Sequence, residues 1–310
     1  MMNDSLLVTL LQNKDFNIFV QIVVFLIMFA MGVRLTTAAL VEIRTYPGAL
    51  LRSLIGVVIL VPATVFAVAP LFKALGLSIA VGTGLVLLVA SPGAPLTTKR
   101  TGMASGDFEF SAALQLLCGT SAILVTPGII WMYAQFFPNT REAVEFLAIA
   151  KQVAIVQFLP LGLGLAVRLV WSDLADEIAP RVQQMADVAF LVLVLIAVIV
   201  GLPVILATGP LAIAAIAAVA AIALLVGHLL GGPDLSRQSA TAVACVARNV
   251  GLALFIATLN TKLLVVLPTI VGYMIIGSIL AIPYSVWMKK RIAQQAESLA
   301  DESAIASSTT

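Results

Sequence analysis

Apolar residues run along this chain in long blocks, separated by short clusters of charged, Pro, Gly or Asn residues. Reading the blocks between those breaks predicts nine helices, near 16–35, 47–70, 76–104, 108–136, 143–170, 185–207, 210–230, 234–258 and 262–288. Each holds the roughly 20 residues that a membrane-spanning helix needs. Residues 1–15 are polar and too short for a secretory leader with its own basic and apolar regions. Residues 292–310, IAQQAESLADESAIASSTT, read as a solvated tail without fixed structure.

Composition agrees with the pattern. Of 310 residues 61% are hydrophobic and 10% charged, and mean hydropathy is +1.12. A soluble domain has roughly 45–50% apolar residues. The expected class is therefore an all-α polytopic membrane protein, embedded in a lipid bilayer. A soluble enzyme, a nucleic-acid binder and a disordered chain are excluded on this basis. The formal charge of +2 is too small to indicate a partner. Cys118 and Cys245 lie in apolar stretches with no metal-ligand spacing.

Basic residues set the orientation. With the N-terminus outside, eleven Lys and Arg fall on the inner side, Lys289, Lys290 and Arg291 among them. Four fall outside (Lys14, Lys73, Arg141, Lys262), and Lys151 and Arg248 lie within spans. The expectation is a bacterial-type inner-membrane protein with its N-terminus outside and its C-terminus cytoplasmic. Trp131, Trp171 and Trp287 near span ends fit interfacial belts.

Two spans are interrupted near their centres. The third carries SPGAPLTTKR at 91–100, where prolines and a glycine break the backbone ladder. The eighth carries ACVARNVGLA at 244–253, with Arg248, Asn249 and Gly251 central. Each is the third helix of a quartet, and the quartets enter the membrane from opposite sides because one helix (143–170) separates them. That is the pattern of an inverted repeat, in which paired interruptions point to a transport site. Freed N–H and C=O groups cannot be satisfied by lipid but can be by an ion or polar substrate. One Pro-Gly pair alone is as well explained by a packing kink.

Arg248 carries the most information. A central arginine costs roughly 2.5–3.5 kcal/mol on insertion scales and must face protein, water or an anion. The structural alternative is a pair with an acid from another helix, such as Glu109. Lys99 and Arg100 either reach the same cavity or serve as inner-face charges. Asp107 and Glu109 suit the N-terminus of the fourth span, and Ser111 and Gln115 share one face of it. Lys151 snorkels outward, His228 reads as an interfacial residue, and Gly162 and Gly164 as close-packing positions. No nucleophile–base pair, metal cluster or phosphate loop is visible, so no enzyme activity and no cofactor are expected.

The segments FLIMFAMGVRLT (25–36), SPGAPLTTKRTGMASGD (91–107) and ARNVGLALF (247–255) resemble the bile acid:sodium symporter family, in order along nearly the whole chain. The resemblance implies a panel domain (about 16–46 and 143–207) and a core domain (about 47–136 and 210–288), followed by a cytoplasmic tail (289–310). The interrupted helices would cross in the core, and access would alternate as one domain moves against the other. It further implies ion-site positions at Thr97, Thr98, Ser111, Gln115, Ala244 and Arg248, and substrate contacts from Pro95, Thr97, Thr98, Lys99, Arg248, Asn249 and Gly251. The family's second interrupted helix gives a Glu and then a Gln as sodium ligands. Here those positions read Ala244 and Arg248. A hard cation favours oxygen ligands and a carboxylate, so this departure argues against sodium.

The expected function is secondary transport of a small or amphipathic organic anion, sodium-independent, with Arg248 as a built-in cation. A sodium-coupled, bile acid-like symporter with a reduced ion site is the alternative within transport. A non-transporting membrane ligand sensor is the alternative of another class.

Overall fold

The computed structural model describes residues 14–94, 97–136, 146–259 and 263–308. Among these every regular element is helical. Twelve helices follow in order: α1 Lys14–Val33, α2 Thr37–Thr45, α3 Pro47–Ala74, α4 Ile79–Val89, α5 Thr97–Met103, α6 Phe108–Phe136, α7 Leu147–Val170, α8 Ser172–Ala207, α9 Pro210–Leu230, α10 Leu235–Val246, α11 Val250–Leu259 and α12 Leu263–Ser308. Eight apolar stretches are long enough to span a bilayer, the α10–α11 pair counting as one. The broken pair α4 and α5 stands where the third span was expected.

Two boundaries differ from the sequence reading. The sixth span begins at Ser172 rather than 185, so α8 has 36 residues and is about 54 Å long. Its polar first turns extend the helix beyond the apolar stretch, because helical geometry and bilayer crossing are separate properties. The tail is also helical as far as Ser308. From Tyr284 to Ser308 the chain has no Pro or Gly and is rich in Ala, Gln, Glu and Lys, which favour helix.

α1 lies against α7 and α8. The α1–α7 contact is backbone to backbone: a Cβ on Gly32 would overlap Leu161 O, and one on Gly164 would overlap Phe29 O. Small residues permit this approach where helix association depends on close packing. Gly162 has open space around it and takes no part.

The α10–α11 segment is the structural centre. Within its best apolar window 94% of residues are buried, against 28% for α8. It packs on α5, α6, α9 and α12. The first break follows from local chemistry: Pro92 removes an amide donor and disfavours a helical residue before it, and Gly93 takes φ +79. Gly93 also abuts α6, where a Cβ would sit 3.2 Å from Gly119 N. The second break has no proline. Ala247 becomes extended, with ψ 115, and Asn249 Oδ1 accepts the Leu252 amide at 3.0 Å to cap α11. A capping side chain ends one helix and starts the next.

α3 and α7 each contain one π-helical turn, at Gly56–Leu60 and Ala154–Phe158. Pro62 and Pro160 each stand two residues beyond the turn. Each lacks the amide that would bond the carbonyl four residues earlier, and the ladder widens locally.

Gly32→Val should lower the thermal transition of the detergent-purified protein markedly, overpacking typically costing about 1–3 kcal/mol, whereas Gly162→Ala should leave it unchanged; the two melting curves decide. Thr126→Val should also destabilise, since Thr126 Oγ1 donates to Ala90 O at 2.6 Å and an unpaired buried carbonyl costs about 1–3 kcal/mol. Denaturant titration of that variant is the check.

Candidate functional site

The two breaks meet. The amide of Asn249 donates to Ser91 O at 2.9 Å, joining the second interruption directly to the first. Around this junction the freed carbonyls can be followed one by one. Ala90 O takes the Thr126 hydroxyl, and Ser91 O takes the Asn249 amide. Val246 O takes the Tyr273 hydroxyl at 3.1 Å, and Cys245 O takes Arg248 Nη2 at 2.7 Å. A helix C-terminus concentrates negative partial charge. At α10 that charge faces a guanidinium.

Arg248 is 4% exposed. Its Nη1 donates to Val57 O at 3.0 Å, a carbonyl within the π-helical turn of α3. Its Nε has no hydrogen-bond partner. The side chain lines a cavity of about 40 Å³ with Arg100, Tyr273, Ser278 and Phe190. Arg100 Nη2 donates to Ser278 Oγ at 3.0 Å, and the Tyr273 hydroxyl lies within electrostatic reach of both arginines. Two guanidiniums therefore line one small space with two hydroxyl groups, each of which already donates to a backbone carbonyl, Tyr273 to Val246 O and Ser278 Oγ to Met274 O at 2.6 Å, and one buried N–H is unsatisfied. Such a set favours an anionic oxygen.

The acid considered as a partner for Arg248 is engaged elsewhere. Glu109 accepts a hydrogen bond from Thr36 Oγ1, the cap residue of α2. Asp107 caps α6 through the Phe110 amide at 2.9 Å and lies 3.7 Å from Arg237 Nε. Arg237 also stacks on Tyr46, 3.3 Å from the ring centroid. These contacts tie α2 to the adjacent ends of α6 and α10, away from the crossing.

The remaining sequence-derived positions fall into separate groups. Asn249 is buried, and its Nδ2 donates to Gln157 Oε1 at 3.3 Å. Gln157 in turn donates to Gly119 O at 2.9 Å. Gly251 is buried against Val24 of α1. Thr97 is buried and donates to Ala94 O at 2.7 Å. Ser111 pairs with Thr101 at 3.0 Å, and Ala244 is buried and offers no side-chain ligand. Lys99 is exposed; its neighbour Arg100 is the one lining the cavity. Pro95 lies outside the described residues.

A second cavity, of about 50 Å³, lies between α1, α5, α6 and α8. Thr98, Gln115, Arg34 and Asp187 line it, and Phe190 belongs to its wall as well as to that of the first. Gln115 is 3% exposed and its Nε2 has no partner. Among the described residues no group of three or more His, Cys, Asp or Glu could hold a metal ion. An alkali-metal site would rest on the oxygens of Thr97, Thr98, Ser111 and Gln115, with no carboxylate among them.

Sequence reading missed Gln157, Tyr273 and Val57. Pro62 and Pro160 are the signals that could have revealed two of them, since each lies within an apolar span and widens the turn that presents the group.

Comparison with known proteins agrees with this architecture. The Sodium Bile acid symporter family profile matches residues 21–208. A relative from Bacillus subtilis (strain 168), named "Uncharacterized sodium-dependent transporter YocS", is 26% identical over 275 residues, covering 86% of this chain and 83% of its own length. An all-α membrane architecture with two interrupted helices in contact, and a profile match over well more than half the chain, lead to one conclusion: this protein belongs to the sodium bile acid symporter family of membrane transporters.

Proposed function

We propose that the chain is a secondary transporter of an organic anion in which the Arg248 guanidinium takes the place of a coupling cation. The observation that carries this reading is the position of Arg248. It is buried at the crossing, bonded to carbonyls of α10 and α3, lines the cavity, and has a buried Nε without a hydrogen-bond partner. In a cation-coupled site those carbonyls and a nearby carboxylate would hold the ion. Here the carboxylate position is Ala244, and the fixed charge resides on the side chain.

The substrate's anionic group would lie against the guanidinium groups of Arg248 and Arg100, with Tyr273 and Ser278 at its edges. Its remaining portion would extend past Phe190 toward Thr98 and Gln115. α1, α2, α7 and α8 form the panel in this reading, and α3–α6 with α9–α12 as far as about residue 288 form the core, rocking to alternate access. The N-terminus is outside and the 289–310 end cytoplasmic, in an inner membrane.

A second reading has one specific observation in its favour: the Bacillus subtilis relative is named as sodium-dependent. In it Thr97, Thr98, Ser111 and Gln115 form a reduced sodium site.

Reconstituted protein should exchange small carboxylates or sulfonates across liposomes, which a ligand sensor would not do. Arg248→Gln should lower that exchange about tenfold or more, the scale of one charged hydrogen bond, while Arg248→Lys retains part of it. Equal melting temperatures for the variants separate this from unfolding, and unchanged exchange in Arg248→Gln overturns the reading. Thermal stability in NaCl should equal that in KCl at matched ionic strength, because a ligand of the folded state stabilises it in proportion to its occupancy. A saturable rise in sodium alone would favour the second reading.

A further inference from the structure

Gln157 lies in the π-helical turn of α7 and is fully buried. A buried carboxamide inside a membrane span must find its partners within the protein, and Gln157 finds them on two other helices. Its Nε2 donates to Gly119 O of α6 at 2.9 Å, and its Oε1 accepts from Asn249 Nδ2 at 3.3 Å. Asn249 Oδ1 in turn accepts the Leu252 amide at 3.0 Å. The polarity of this chain is fixed from both ends, because Gly119 O can only accept and the Leu252 N–H can only donate. Each carboxamide between them therefore has one orientation that satisfies all three bonds. With Asn249 reversed, its amino group would face the Leu252 N–H, donor against donor, and α11 would lose its cap. Gln157 thus sets the orientation of Asn249 from a different helix.

The same residue reaches both breaks. Asn249 stands in the second. Gly119 abuts the first, since a Cβ on Gly93 would sit 3.2 Å from Gly119 N. A Cβ on Gly119 itself would meet Leu161 at 3.3 Å, Met31 at 3.4 Å and Gln157 Nε2 at 3.8 Å. This glycine therefore lies between the first break and the α1–α7 pair. α7 is joined to α1 by backbone packing at Gly32 and Gly164, so a movement of that pair relative to the crossing acts on the Gln157 bonds.

We propose that Gln157 is a positioning residue for transport: it bolts α7 to the crossing in the present conformation and releases Gly119 and Asn249 when access alternates. This rests on the assignment of α7 to a panel that moves against a core holding α6 and α11. Hydrogen bonds weaken steeply with distance and angle, so a shift of about 1 Å at either contact ends the bond. The neighbouring contacts of Leu161 and Met31 are non-directional and tolerate the same sliding.

The test is the separation of spin labels on Val170→Cys of α7 and Leu229→Cys of α9, measured by double electron–electron resonance in lipid nanodiscs. Both positions are exposed, and the two native cysteines are buried. With Gln157 in place one distance should dominate. Gln157→Met, which keeps the side-chain length and removes both bonds, should raise a second distance about tenfold in population. Gln157→Glu in its ionised form keeps an acceptor for Asn249 but brings no N–H to Gly119 O, and should raise it as well. Leu161→Ala, which loosens the same contact without removing a hydrogen bond, should lower the melting temperature and leave one distance. An unchanged distribution in both Gln157 variants overturns the proposal. An equal second distance in Leu161→Ala also overturns it, because the effect would then be general loosening. The measurement contains no substrate, so its outcome is separate from that of liposome exchange, which tests the transport reading itself.

Discussion

A helix interrupted inside a bilayer leaves carbonyl and amide groups that no lipid can satisfy, and the structure depends on how those groups are met. At this crossing the protein meets them largely from within. Thr126, Tyr273, Arg248 and the Asn249 amide each take one freed carbonyl at the ends of α4 and α10. The interrupted helices are consequently held to each other and to α3, α6 and α12. That network explains why the segment with the most irregular backbone is also the most thoroughly buried.

The same constraint gives the site its charge. Carbonyl ends of half-helices attract positive charge, which can be a mobile ion or a tethered group. Arg248 supplies the tethered kind, and its burial is tolerable because two of its donors reach backbone oxygens. Two π-helical turns contribute from outside the crossing: one offers Val57 O to Arg248, and the other carries Gln157, which contacts Asn249 and Gly119. Local widening of a helix at a functional site is a recurrent use of this geometry. Here a proline two residues beyond each turn widens it.

Much of the site was legible in the sequence because its causes are local. Pro92 and Gly93 break α4 whatever packs around them, and a central arginine requires an explanation in any membrane span. The identity of the partners was not legible. Val57 and Arg248 are 191 residues apart, and nothing in either segment specifies that they meet. Glu109 was a reasonable partner for Arg248 by charge alone, yet capping of α2 through Thr36 claims it. Choosing Arg100 over Lys99 for the cavity required helix phase: one step along α5 turns the side chain by about 100°.

The sequence by itself determined the class, the spans and the places where the backbone must break. These follow from hydropathy over about 20 residues and from the covalent limits of proline, which are fixed before any tertiary contact forms. The helical tail lay beyond that reading, because low hydropathy excludes a span without excluding a helix. Tertiary structure alone decided which donors fill the broken ends and which cation faces the cavity. Each of these depends on side chains converging from distant segments, and convergence is a property of packing that no single stretch of sequence carries.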